Sequence, residues 1–127
     1  MREADRQILF AGGGIGGLAA AIALGRRGRA VTVLERSSFA EESGAGIQLG
    51  PNATRVLREL GVFEAIEPLA FRPEALWIFD ALSGRRLATV PLGSVLEERY
   101  GAPYLTLHRA DLHAGLLAAC QSDAQVT

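Results

Sequence analysis

The pattern of apolar and polar positions begins with a continuous apolar run. Ile8, Leu9 and Phe10 stand in succession between Gln7 and Ala11, which reads as a short strand buried on both faces. Glycines fill positions 12, 13, 14, 16 and 17. An Ala/Leu/Ile-rich helix follows up to about Arg27, with Arg26 and Arg27 in its last turn, where cations suit the negative end of the dipole. Gly28 is the residue type that closes such a helix. A second strand, Ala-Val-Thr-Val-Leu-Glu, occupies Ala30 to Glu35. Strand, helix and strand at this spacing make a βαβ unit, so the fold class is α/β with a parallel sheet.

A loop holding Gly44, Gly46, Gly50 and Pro51 comes next, and Asn52 is placed to cap a helix. That helix carries Val56, Leu57 and Leu60 on one face and stops at Gly61. Two strand-like runs, Ala75 to Ala81 and Arg86 to Leu92, flank Ser83-Gly84 as a hairpin. A last helix from about Asp111 to Gln121 puts Leu112, Leu116, Leu117 and Cys120 on its buried stripe. Ala124 to Thr127 reads as the first residues of a further strand, which suggests a fragment of a longer protein.

Composition changes this picture little. A chain of 127 residues, 49% apolar and 21% charged, suits one domain and not a disordered tract. The net charge of −1 argues against nucleic-acid binding. Cys120 stands alone, which excludes an internal disulfide framework and a multi-cysteine metal site. His108 and His113 are five apart rather than four, so they read as structural or surface groups and no metal is expected. No run approaches the roughly 18–20 apolar residues of a membrane span. The acidic Glu3 and Asp5 precede the first apolar run and spoil a secretory signal, so a cytoplasmic location is the default.

Candidate chemistry sits in the glycine loop. Gly12, Gly14 and Gly17 satisfy G-x-G-x-x-G. The first allows the tight turn, the second lets backbone approach a pyrophosphate, and the third lets helix pack on strand. Free N–H groups and the positive dipole end then face the phosphates. A glycine turn in an ordinary α/β protein would look similar. The context favours adenine dinucleotide binding, because Glu35 closes the second strand at about the distance from Gly12 at which a ribose-binding carboxylate stands. That acid disfavours NADP, but the pattern alone leaves NAD and FAD both open.

Three segments together resemble the single-component flavoprotein aromatic hydroxylases. They are Ile8 to Gly17 with Val33 to Arg36, then Gly44-Ala-Gly-Ile-Gln-Leu-Gly-Pro-Asn-Ala53, then Tyr100 to Tyr104 followed by Leu107-His-Arg-Ala-Asp-Leu-His113. The latter two are similar to the branch that holds the salicylate, 3-hydroxybenzoate and hydroxynicotinate hydroxylases. The resemblance covers essentially the whole chain. It implies a Rossmann-like FAD-binding βαβ unit followed by the start of a mixed, substrate-side sheet, with residues of about 75–93 as a hairpin of that sheet. It implies FAD against Gly12, Gly14, Ile15, Gly16 and Gly17, with Glu35 on the adenosine ribose and Arg36 flanking the adenine. Gln48 would contact the cofactor, and Arg109 would reach its ribityl–pyrophosphate region.

The implied activity is an oxidoreductase of aromatic catabolism. NADH serves as a transient reductant, O₂ and a small aromatic acid or phenol as substrates, and the parent protein could form a homodimer. Catalytic residues are not assigned, because the family draws most of them from segments farther along. Two rival readings are a catalytically inactive dinucleotide-binding fragment and an NAD-dependent dehydrogenase domain. The GAGIQLGPN stretch disfavours the second, since a plain dinucleotide fold would pass straight to a helix and a third parallel strand. Trp77, Phe79 and Tyr104 read as core. Glu97, Glu98 and Arg99 read as a solvated charge run.

Overall fold

A computed structural model of the chain describes residues 7–38 and 45–127. β1 (Ile8–Ala11) pairs in parallel with β2 (Val31–Leu34), Ile8 opposite Val31 and Ala11 opposite Leu34. The crossover between them is α1 (Ile15–Gly25), which buries Leu18, Ala21 and Ile22. The strands alternate in burial. Ile8 and Phe10 pack against the core, whereas Leu9 is 62% exposed and Ala11 is exposed too. The apolar run is therefore covered on one face only among the described residues. α1 ends at Gly25, earlier than its sequence suggests, because the chain turns through Gly28 at φ +72°. Arg26 caps the helix, and Arg27 lies beyond it rather than in its last turn.

The expected loop after β2 contains a strand. β3 (Gly46–Leu49) runs antiparallel to β6 (Leu105–His108), with Gln48 opposite Thr106. Gly44 lies outside the described residues. Phe71 bonds the other edge of β6 through both backbone groups of Thr106. α2 (Pro51–Glu59) is capped at Gly50 with no side-chain bond, not at Asn52. Pro51 takes the first helical position, where its missing N–H costs nothing, and that moves the cap back. Leu57 and Leu60 are buried as expected, but Val56 is exposed. Gly61, at φ +65°, ends the helix. α3 (Phe63–Ile66) continues into a 3₁₀ turn at Glu67–Leu69.

β4 (Ala75–Phe79) and β5 (Arg86–Pro91) form the expected hairpin. Asp80 accepts the Ser83 N–H and hydroxyl in the turn, and Gly84 takes φ +68°. Trp77 and Phe79 are not core: they are 57% and 52% exposed and touch each other edge to face. α4 (Gly93–Tyr100) ends at Gly101 in the left-handed region. Its Glu97 is more than a solvated charge, since it pairs with Arg72 at 2.9 Å and approaches Arg58.

α5 (Arg109–Ser122) begins directly after β6, two residues before the sequence suggests. Leu112, Leu116 and Cys120 are buried against α1, joined by His113, while Leu117 is half-buried. α5 then delivers residues 124–127 alongside β2. Val31 donates to the Gln125 carbonyl at 2.8 Å, and Thr127 donates to the Val31 carbonyl at 2.9 Å. Of the expected strand, Ala124 and Gln125 form a turn and Val126 makes a single parallel bridge to Val31, on the outer side of β2.

Candidate cofactor site

The site starts where β1 stops. Gly12 continues the ladder by donating to the Leu34 carbonyl at 2.7 Å, then turns at φ +112°, where only glycine sits without strain. Its own carbonyl points at α1. A Cβ on Gly17 would run into that oxygen, so the third glycine of the motif is fixed by the close approach of helix and strand. Gly14 is the N-cap of α1, in extended conformation, and no side chain caps this end. A Cβ on Gly14 or Gly16 would meet nothing within 4 Å. The protein does not need glycine at those two positions for its own packing. Glycine there leaves room for a group that approaches from outside.

Glu35, just past β2, faces the same loop. One carboxylate oxygen accepts the Gly13 N–H at 2.8 Å, and the other accepts the Ser37 N–H and hydroxyl at 2.9 Å each. The donors from Ser37 and Gly13 hold its pKa down to about 2, from an ordinary 4.5. It is thus a fixed anion beside the loop. Arg36 is exposed next to it.

The β3–β6 pair brings the other expected residues together. Gln48 accepts the Tyr104 hydroxyl at 2.7 Å. Arg109 opens α5, and its backbone N–H donates to the Ala45 carbonyl at 3.0 Å. One helical turn on, His113 is 4% exposed and its Nε2 lies 2.7 Å from the Gly13 carbonyl. Residues four apart share a helix face, so Arg109 starts the face of α5 that carries His113. Sequence reasoning missed His113 and Tyr104 as members of this site. The available signal was a histidine set within the apolar stripe of Leu112 and Leu116.

The remaining candidates separate cleanly. His108 is exposed at the end of β6 while His113 is buried, and no cluster of His, Cys, Asp or Glu able to hold a metal occurs among the described residues. Cys120 donates to the Leu18 carbonyl at 3.5 Å, and burial pushes its thiol pKa up, with Asp123 adding to the rise. No helix among the described residues is long and apolar enough to cross a membrane.

The donor set fits an adenine dinucleotide. An uncapped helix N-terminus suits pyrophosphate, open glycines leave room for it, and an ionised carboxylate suits ribose hydroxyls. Comparison with known proteins agrees. Residues 5–122 match the family described as the FAD binding domain. The chain is 45% identical over 123 residues to a 3-hydroxybenzoate 6-hydroxylase of Polaromonas naphthalenivorans, covering 97% of this chain and 31% of that protein. It is 38% identical to a 6-hydroxynicotinate 3-monooxygenase of Bordetella bronchiseptica, covering 89% of this chain and 30% of the relative. Among solved structures, a tetrameric form of 2-methyl-3-hydroxypyridine-5-carboxylic acid oxygenase superposes with a TM-score of 0.79 at 28% identity, over 96% of this chain and 31% of that one. The chain thus spans about a third of the length of the relatives it matches. With the glycine loop, the ionised acid after β2 and a family match across nearly its whole length, the chain belongs to the FAD binding domain family, and FAD is its cofactor.

Proposed function

We propose that this chain forms the adenosine-diphosphate-binding part of an FAD-dependent monooxygenase that hydroxylates an aromatic acid or phenol, of the 3-hydroxybenzoate or salicylate type. NADH is the transient reductant and O₂ the oxidant. One observation carries the reading. The two segments that resemble the hydroxylase branch, far apart in sequence, are paired as β3 and β6, and the second runs on into α5, whose His113 touches the glycine loop. A plain dinucleotide fold has no use for that antiparallel pair.

In this reading each site residue takes a role. Gly12 turns the chain beneath the pyrophosphate, its own N–H being held by the Leu34 carbonyl. Gly14, Ile15, Gly16 and Gly17 hold the pyrophosphate with backbone N–H groups, and Glu35 accepts from the adenosine ribose. Arg36 flanks the adenine. Gln48, anchored by Tyr104, contacts the cofactor from β3, and Arg109 neutralises phosphate charge from the start of α5. The chemistry supplied by FAD when bound is hydride acceptance from NADH and reduction of O₂, with one oxygen atom going to the ring and the other to water. The hairpin of β4 and β5 belongs to the substrate-side sheet. The whole protein is a cytoplasmic homodimer.

The test is a purified full-length protein. Flavin absorbance, NADH oxidation stimulated by 3-hydroxybenzoate, salicylate or 6-hydroxynicotinate, and a hydroxylated product support the reading. A colourless protein that oxidises no reduced nucleotide with any of these acids overturns it. Parallel assays with NADPH and a column-derived mass check the reductant and the dimer.

A further inference from the structure

We propose that His113 is a positioning residue of the FAD site, acting through the backbone of Gly13. This rests on the FAD reading and adds to it a residue that touches no ligand. His113 is buried, and its Nε2–H donates to the Gly13 carbonyl at 2.7 Å. The acceptor is a carbonyl, so the nitrogen carries the proton. No peptide bond among the described residues is cis. In a trans peptide the carbonyl and the following N–H point in opposite directions. With the Gly13 carbonyl turned to His113, the Gly14 N–H is turned the opposite way, away from that imidazole.

The preceding peptide is fixed in the same way and with the opposite sense. Its Gly12 carbonyl points at Gly17, and its Gly13 N–H points at Glu35. Gly13 is therefore held at both polar groups, by a carboxylate from the end of β2 and an imidazole from α5. Glycine resists such ordering more than any other residue, because it has the most backbone freedom to lose. Two side chains from separate elements supply the restraint before the ligand arrives. The His113 bond also polarises the Gly13–Gly14 peptide, which makes the Gly14 N–H a stronger donor to pyrophosphate. Cys120, two turns along the same face of α5, bonds the Leu18 carbonyl, so α5 is registered on the glycine loop at one end and on α1 at the other.

The test compares wild type, His113→Leu, His113→Gln and His113→Asn in the full-length protein. Gln places an amide nitrogen at the reach of Nε2; Asn falls short of it. Expected results are an FAD Kd raised about ten-fold in His113→Leu and His113→Asn, with His113→Gln close to wild type. In glycine-labelled protein without FAD, the Gly14 amide proton resonance should move upfield in the Leu and Asn variants and stay in place in Gln. A folded Leu or Asn variant with wild-type FAD affinity overturns the proposal, as does a Gln variant as weak as Leu. If His113→Leu does not fold, Asn against Gln decides. A wild-type protein that binds no FAD fails the cofactor reading itself, which is a different outcome from a variant that binds as well as wild type.

Discussion

At the scale of single residues, the glycines of the loop divide into two kinds. Gly17 answers to the protein, since a side chain there meets the Gly12 carbonyl, whereas a side chain on Gly14 meets open space, which the proposed reading gives to the pyrophosphate. Gly14→Val should therefore leave the thermal unfolding midpoint of the cofactor-free protein unchanged and abolish FAD binding. Gly17→Val should lower both. A Gly14→Val protein that keeps stoichiometric flavin would remove the pyrophosphate from this loop. Glu35 gives a pH test. Its carboxyl is held near pKa 2 when folded and returns to 4.5 when released, so its ionised form stabilises the folded loop. That contribution is complete above pH 4.5 and is lost as pH falls toward 2. The stability gap between wild type and Glu35→Gln, read from urea midpoints, should be level from neutral pH to about 4.5 and close below it. FAD Kd at neutral pH should rise about ten-fold in the same variant. These residues were legible because the spacing of glycine and acid follows directly from ligand geometry. His113 was not, because its place in the apolar stripe of α5 marks it as buried while its carbonyl partner, one hundred positions away, is invisible to local pattern.

At the scale of elements, legibility tracked how local the cause is. The βαβ unit, the hairpin and the stop at Gly61 are set by residues within a few positions of each other. β3 was read as a loop because Gly44, Gly46 and Gly50 dominate its composition, and its partner β6 lies far along the chain. Strand propensity mostly reports packing against neighbours, which a single sequence does not display. Asn52 lost the cap to Gly50 for a nearby reason, the proline between them. α5 is the element whose damage should cost most. Leu116 is fully buried on α5, which packs against α1 and α3, so Leu116→Ala should cost about 2–5 kcal/mol by chemical denaturation. Leu82, at the hairpin tip, is 99% exposed, and Leu82→Ser should be silent. Equal losses at the two positions would contradict the core described here.

At the scale of the molecule, the described residues carry an uncapped dinucleotide loop and an uncovered sheet. In the proposed reading the dinucleotide loop, Glu35, Gln48 and Arg109 address the adenosine and phosphate end of FAD. Dinucleotide affinity is spread along the whole ligand, so contacts to one half leave binding well short of a retained cofactor. The hairpin makes the second point. Leu76, Trp77, Ile78 and Phe79 are all exposed, as is every residue of β5, so neither face of this two-stranded sheet is covered. Two strands without a packed face are marginal in water, and exposed apolar edges recruit other chains. Residues 1–127 expressed by themselves should therefore lose flavin on buffer exchange, show no substrate-stimulated NADH oxidation, and scatter light increasingly with concentration. Trp77→Ser with Phe79→Thr, on the exposed strand, should reduce the scattering without changing the far-ultraviolet spectrum. A monodisperse monomer of these residues that retains stoichiometric FAD would show that the adenosine half suffices and that the hairpin needs no cover.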